Sequence, residues 1–219
     1  MAMFRGEAAR LCEILIDRPV SPLLNLGSGT AEYREIRQPF IERDLFTPLR
    51  KAGVKVFHCD LKSAEGIDLA GNVLDPKVQQ QLRAMDFKCV LVSNLLEHVT
   101  DRDEVMRACA AIVGRGGLIL ATVPSSYPYH PDPIDTLYRP CPEDLAAAFP
   151  GTTPVIVEEL MGQTYSAEMR ADGIWREVAI TLARVLISAL QPRRALAKLD
   201  RWRWYRRPYR VALVLVRVR

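Results

Sequence analysis

The sequence predicts a doubly wound α/β fold, with a mostly parallel sheet covered by helices on both faces. Three observations carry that expectation. Apolar, β-rich runs alternate with helix-compatible stretches along the first 150 residues. The run Cys89-Val90-Leu91-Val92-Ser93 is apolar almost throughout, as strands buried on both faces of a parallel sheet are. Finally, the run Leu23-Leu24-Asn25-Leu26 breaks into Gly27-Ser28-Gly29-Thr30 just before a helix-compatible stretch. Glycines there let the backbone turn sharply and approach a bound group, and the N–H groups of the helix start favour anionic atoms. Alternation implies right-handed crossovers, which gather ligands at the carboxyl ends of the strands.

The elements follow in order. After strand one, Ala31–Arg37 and a longer piece ending at Ala52 read as helical, with Pro39 and Pro48 interrupting them. Val54–Cys59 alternates and is β-rich, ending at Asp60, and is taken as strand two. Gly66–Leu69 reads as a short third strand and Pro76–Met85 as a helix. Beyond strand four at Cys89–Ser93, Thr100 and Asp101 are placed to cap a helix running through Val113. Glu104 is spaced for a capping box, and Gly114, Gly116 and Gly117 end the helix. Strand five is Leu118–Val123, stopped by Pro124. A helix at Pro142–Phe149, a strand at Pro154–Leu160 and a β-branched run at Val211–Val218 complete the pattern. Between the last two, Ile174–Leu190 carries a polar stripe at Glu177, Thr181, Arg184 and Ser188, the mark of an amphipathic helix, and Pro192 stops it.

Composition narrows the class. With 219 residues, 49% hydrophobic and 26% charged, the chain suits one globular domain. The five cysteines are odd in number, widely spaced and without a C-x-x-C pair, so neither a disulfide framework nor a zinc site is suggested, and a reducing cytoplasm is expected. Residues 1–20 lack the apolar core of a signal peptide, and no window has the ~18 apolar residues of a membrane span. The net charge of +4 is uneven: residues 191–219 hold ten Lys/Arg against Asp200 alone, leaving 20 basic and 25 acidic residues in 1–190.

Taken together, LLNLGSGT, VFHCD, GIDLAGNVLD, VLVSNLLEHV, GRGGLILATVP and SYPYHPDPIDTLYRP resemble, in order and spacing, the class I S-adenosylmethionine-dependent methyltransferases, specifically a bacterial group carrying an LEHV segment. The resemblance spans residues 21–162. It implies a Rossmann-like methyltransferase fold: a seven-stranded, mostly parallel sheet whose last strand is antiparallel and inserted beside the fifth. Residues 163–208 would then form a helical, basic and aromatic insertion within a single domain. It also implies S-adenosylmethionine as cofactor. The Gly27, Ser28 and Gly29 turn would seat its amino-acid end, and Asp60 and Leu61 would meet the ribose, a carboxylate being suited to accept from both hydroxyls. Asn72 and Val73 would meet the adenine, and Asn94 and Leu95 would lie under the methionine and methyl group. Asn25 stands where the family usually has an acid facing the cofactor's amino group, and the third glycine of the pattern is Ala31.

The expected chemistry is methyl transfer, by O-methylation, to a small-molecule, glycan or lipid-linked acceptor. His98 and His130 fall at the carboxyl ends of strands four and five and are the candidate catalytic bases for an attacking hydroxyl. His58, inside a strand, reads as packing or hydrogen-bonding in place, and Glu97 as a helix-start support or a ligand. The proline-rich tract Tyr127–Arg139 reads as a stiff acceptor-binding lip. The basic and aromatic segment 192–210 has three readings: a lid donating cations to an anionic acceptor, peripheral contact at the inner membrane face, and, ranked last, nucleic-acid binding. A nicotinamide-dependent oxidoreductase shares the strand–turn–helix start, but Glu32 opposes a pyrophosphate where a small residue is needed. A non-catalytic protein that keeps the cofactor fold is the other alternative, and Asn25 is the feature that favours it.

Overall fold

The computed structural model describes residues 3–130, 134–167 and 204–219. Among the described residues, seven strands form one sheet in the order β3-β2-β1-β4-β5-β7-β6. They are β1 (Leu23–Leu26), β2 (Val56–Asp60), β3 (Leu69–Ala70), β4 (Cys89–Ser93), β5 (Leu118–Ser126), β6 (Thr152–Thr164) and β7 (Pro208–Val218). The first five pair in parallel, and β7 pairs antiparallel with both β5 and β6. The order reverses between β1 and β4, so their carboxyl ends open a crevice where neighbouring connections leave in opposite directions.

Strand alternation divides the core. Leu24, Leu26, Val90, Val92 and Ile119 face one side of the sheet. There they meet Leu82 from α4 (Pro76–Ala84), Val105, Cys109 and Ile112 from α5 (Arg102–Val113), and Leu145 from α6 (Pro142–Ala148). Leu23, Cys89, Leu91 and Leu120 face the other side, against Leu45, Phe46 and Leu49 and against α1 (Arg5–Ile16). The sequence reading passed over α1. Its buried face, Ala8, Leu11, Cys12 and Leu15, nevertheless has helical spacing. Leu11, Ile14 and Leu15 are almost fully buried, each worth roughly 1.5–3 kcal/mol of transfer from water. Arg10 on this helix also reaches Glu158 of β6 through two hydrogen bonds of 2.8 and 3.1 Å.

Several expected boundaries move. The helical stretch after β1 is a chain of short pieces: a π-helical turn at Glu32–Arg37, α2 (Pro39–Ile41), a second π-helical turn at Glu42–Phe46, and α3 (Thr47–Lys51). Prolines at the head of α2 and α3 break the ladder, as their missing N–H requires. Strand three shrinks to two residues because Gly66, at φ +76, turns instead of extending. The capping box at α5 does not form: no side chain caps its first turn, and Thr100 Oγ1 donates to Asp101 instead. Strand five continues through Pro124, since pairing with β4 already ends at Thr122 and β7 accommodates the proline with a bulge. The amphipathic stretch Ile174–Leu190 and most of the basic segment lie outside the described residues. Among the described residues, no helix is long and apolar enough to cross a membrane.

Candidate functional site

A cavity of about 530 Å³ opens at the carboxyl ends of the parallel strands, within the range of small-ligand sites. Asn25, Gly27, Ser28, Gly29, Asp60, Leu61, Asn72, Val73, Asn94 and Leu95 all line it, and so does His98. His130 does not. It stands behind His98, edge to face, with ring centres 5.1 Å apart.

The glycine turn is shaped by close approach as well as conformation. Gly27 has φ +70, and a Cβ placed on it would lie 2.9 Å from Leu95 Cδ1. Gly29 has φ +63 and a similar conflict with Tyr33. The turn's donors are largely committed to the protein itself. Gly27 and Ser28 donate their N–H groups to the Cys59 carbonyl, Gly29 to Asp60 Oδ2 at 2.8 Å, Ala31 to the Glu65 carbonyl and Tyr33 to Thr30 Oγ1. These bonds narrow the donors that the helix start can offer an anion, since the N–H groups of Gly27, Ser28, Gly29, Ala31 and Tyr33 are taken. The first helical piece is a single π-helical turn, and most of its nearby donors are satisfied internally.

Behind the turn lies Arg34, which sequence reasoning missed. Its side chain is almost fully buried and donates to the carbonyls of Ser28, Gly29 and Gly66. Burial pulls its affinity for the proton below the usual arginine range. A buried cation beneath a turn lined with carbonyls locks the loop and adds positive potential under the cavity floor. Only the odd placement of an arginine three residues into a helix start, in an otherwise polar stretch, could have hinted at this.

Asp60 ends β2 at the cavity wall. Each of its oxygens accepts one backbone N–H, from Gly29 and from Lys62 at 3.3 Å, so each keeps a lone pair for a ligand. Asn72 turns its Oδ1 inward to the Leu74 N–H at 2.9 Å, so its amide hydrogens are the end offered outward. Asn25 sits beside His58 in the sheet register and is nearly buried. Its amide lies 3.1 Å from His58 Nδ1, and Arg50 Nη2 lies 3.1 Å from His58 Nε2. Burial, reinforced by Arg34 and Arg50, pushes His58 down to about 3, so it is neutral. The sequence reading of a histidine held in place agrees with this arrangement.

The wall formed by β4 and β5 has a different character. Asn94 adopts φ +50 and points its Nδ2 at Glu7 Oε1, 2.8 Å away, so its backbone rather than its amide serves the cavity. Glu7, a second residue missed from sequence, comes from α1 and is fully buried. It also accepts from Thr122 Oγ1 at 2.7 Å and Ser93 Oγ at 3.2 Å. Burial outweighs these bonds and raises its pKa above the ordinary carboxyl range. Glu97 is likewise buried, and burial pushes its carboxyl up to about 7.

His98 Nδ1 is hydrogen-bonded to the Ile134 carbonyl, which fixes that nitrogen as the protonated one and puts the lone pair on Nε2, 3.6 Å from Glu97 Oε1. Burial lowers the pKa of His98 and takes that of His130 down to about 4. His130 Nδ1 lies 3.0 Å from Asp135, which also accepts from Arg139 Nη2 at 2.6 Å and from the backbone of His130 and Leu137. Asp135 therefore organises the described part of the proline-rich tract. One ligand-type atom each from Glu97, His98 and His130 lies within 4.8 Å of the others, a donor set compatible with a small divalent cation.

No protein-family model matches this sequence, and no curated protein sequence matches it. The structure is similar to that of the MccD protein over the whole of both chains, at 13% identity and TM-score 0.59. It is also similar to coclaurine N-methyltransferase bound to N-methylheliamine and S-adenosylhomocysteine, over 97% of this chain and 70% of that one, at 15% identity and TM-score 0.53. A SAM-dependent methyltransferase from Archaeoglobus fulgidus aligns over 96% of this chain and 92% of that one, at 14% identity and TM-score 0.53. With its seven-stranded mixed sheet and antiparallel β7, the chain has the Rossmann-like fold of the class I S-adenosylmethionine-dependent methyltransferases.

Proposed function

We propose that this protein is an S-adenosylmethionine-dependent methyltransferase that methylates a hydroxyl of a small-molecule, glycan or lipid-linked acceptor. The observation that carries the reading is that Gly27, Asp60, Asn72, Leu95 and His98, drawn from the ends of four strands and their following loops, line one cavity. The residues fit the cofactor part by part. Asp60 has a lone pair on each oxygen for the two ribose hydroxyls. Asn72 offers amide hydrogens, which suit a ring nitrogen of adenine better than its amino group, a refinement of the sequence expectation. Leu95 packs under the turn where only glycine fits. When bound, S-adenosylmethionine supplies an electrophilic methyl group on a sulfonium.

The rest of the mechanism belongs to the chain. His98 is neutral at ordinary pH because burial lowers its pKa, and with Nδ1 held by the Ile134 carbonyl, its Nε2 would take the hydroxyl proton as the oxygen becomes a nucleophile. Glu97, 3.6 Å away, stabilises the imidazolium that results. His130 holds the face of the His98 ring edge-on, and Asp135 holds His130. Alignment of acceptor and methyl group in a closed site supplies most of the acceleration, and base assistance adds about 10²–10⁴-fold. An anionic headgroup on the acceptor would find Arg206 and Arg207 at the described end of the basic segment, with Arg207 stacked 4.6 Å over Trp204.

The test is a thermal shift with S-adenosylhomocysteine against NAD. At about 100 times its dissociation constant, a ligand adds roughly 2.7 kcal/mol, on the order of 5–10 °C in a chain of this size. Stabilisation by S-adenosylhomocysteine is the expected result. Stabilisation by NAD alone overturns the reading.

A further inference from the structure

Asn25 is the residue at which the sequence departs from the pattern it otherwise resembles, and the structure gives that departure a role. Its amide lies between the cavity and His58, and His58 lies between Asn25 and Arg50. A guanidinium only donates, so the Arg50 contact at 3.1 Å requires the lone pair of His58 on Nε2. A neutral imidazole then carries its hydrogen on Nδ1, which must donate to Asn25. Nδ2 of Asn25 cannot accept it, but Oδ1 can. Half a turn of the amide exchanges the two atoms with no change in shape, and it removes the conflict between two donors.

We propose that Arg50, through His58, holds Asn25 by its Oδ1, so that its Nδ2 hydrogens face the cavity and the end of β1 selects an anionic oxygen of the ligand, its carboxylate, over its ammonium group. This rests on the cofactor reading above and deepens it. One further observation makes Asn25 the donor at this point, and another favours an anion there. The N–H groups of the adjoining turn are mostly committed to the Cys59 and Glu65 carbonyls, Asp60 and Thr30, so the turn alone offers an anion few donors. Arg34 is buried beneath the same turn and hydrogen-bonds three carbonyls, so its charge acts on the cavity floor. The acids around the relay are already engaged: Glu42 pairs with Arg50, Asp68 accepts the His58 backbone N–H at 2.7 Å, and Asp60 accepts from Gly29.

The experiment has two independent readouts. Nitrogen-15 NMR of histidine-labelled full-length protein reports the tautomer of His58, its signals assigned by loss in His58→Gln. The expected form is Nδ1–H in the wild type, changing in Arg50→Met, whose partly exposed side chain makes it a safe substitution for folding. Calorimetry then compares S-adenosylhomocysteine with 5′-methylthioadenosine, which lacks the amino-acid end. Asn25→Asp is expected to weaken the first by about tenfold or more through like-charge opposition, and to leave the second within about twofold. Arg50→Met is expected to weaken the first several-fold and spare the second. An Nε2–H tautomer in the wild type, or an Asn25→Asp protein that binds S-adenosylhomocysteine as tightly as the wild type, overturns the inference. Failure of both nucleosides to bind the wild type overturns the cofactor reading instead, while the tautomer still decides the Arg50–His58–Asn25 relay.

Discussion

At the ends of β1 and β2 the cavity wall is held by backbone: positive-φ glycines, carbonyls gathered by Arg34, and Asp60 bound to two main-chain N–H groups. At the ends of β4 and β5 it is held by buried ionisable side chains: Glu7 beneath Asn94, Glu97 beside His98, and His130 against Asp135. The first wall is made rigid by main-chain contacts: Asp60 accepts from the Gly29 and Lys62 N–H groups, and Arg34 donates to the Ser28, Gly29 and Gly66 carbonyls. The second gathers groups that burial biases toward their uncharged forms, raising the carboxyls of Glu7 and Glu97 and lowering the imidazoles of His98 and His130. A rigid wall suits recognition of a constant ligand, and a wall with shifted proton affinities suits moving a proton.

The largest test of that contrast is His98→Ala. It is expected to lower turnover by about 10²–10⁴-fold while leaving the affinity for S-adenosylhomocysteine within about threefold, measured by single-turnover kinetics and calorimetry. A loss of binding without a loss of turnover would erase the distinction between the walls. Next comes pH. Glu97, with its carboxyl near 7 when folded, holds its proton more tightly in the folded state, so the folded state loses stability as pH rises from about 4.5 to about 7. The span corresponds to about 3 kcal/mol. His130, near 4 when folded, works in the opposite sense, costing stability as pH falls from about 6.5 to about 4. Urea titrations at pH 5 and pH 8 should therefore show Glu97→Gln losing less stability than the wild type over that interval, and an identical loss would remove Glu97 from this account.

On the rigid side, Gly27→Ala is expected to cost about 1–3 kcal/mol of stability and to weaken S-adenosylhomocysteine binding, since it combines φ +70 with an overlap on Leu95. Equal damage from the same substitution at Gly151, also at positive φ but with open space around it, would show that strain alone and not the approach of Leu95 is at work. The smallest effect belongs to Arg10→Ala. The Arg10–Glu158 pair is partly exposed and lies away from both walls, so about 0.5 kcal/mol of stability and no change in binding are expected from denaturant midpoints.

The two walls also differ in how far the sequence exposed them. Gly27, Gly29 and Asp60 were readable because the chemistry that requires them is local: a turn needs residues without a Cβ, and a strand end needs an acceptor. The antiparallel last strand beside the fifth followed from the resemblance. Glu7 was invisible because its three donors, Ser93, Asn94 and Thr122, lie at least 86 residues away along the chain. Its helix was missed for a related reason, since α1 buries a face against strands that come much later. Asn25 was visible as an irregularity but not as a relay, because Arg50 reaches it only through the sheet register that sets Asn25 beside His58. That the N–H groups of Gly27, Ser28, Gly29 and Ala31 are taken by Cys59, Asp60 and Glu65 was not visible, because those partners lie on the neighbouring strand and loop.

The pairing of β6 with β7 begins at Thr152 opposite Val218 and runs to Thr164 opposite Pro208, so the hairpin is closed by its own ladder before the segment at its tip begins. Loop-closure entropy rises only by about 0.6 kcal/mol for each doubling of loop length. Because β6 and β7 are joined by their own ladder, a change in the length of the chain between them is expected to cost the sheet little and to leave its register in place.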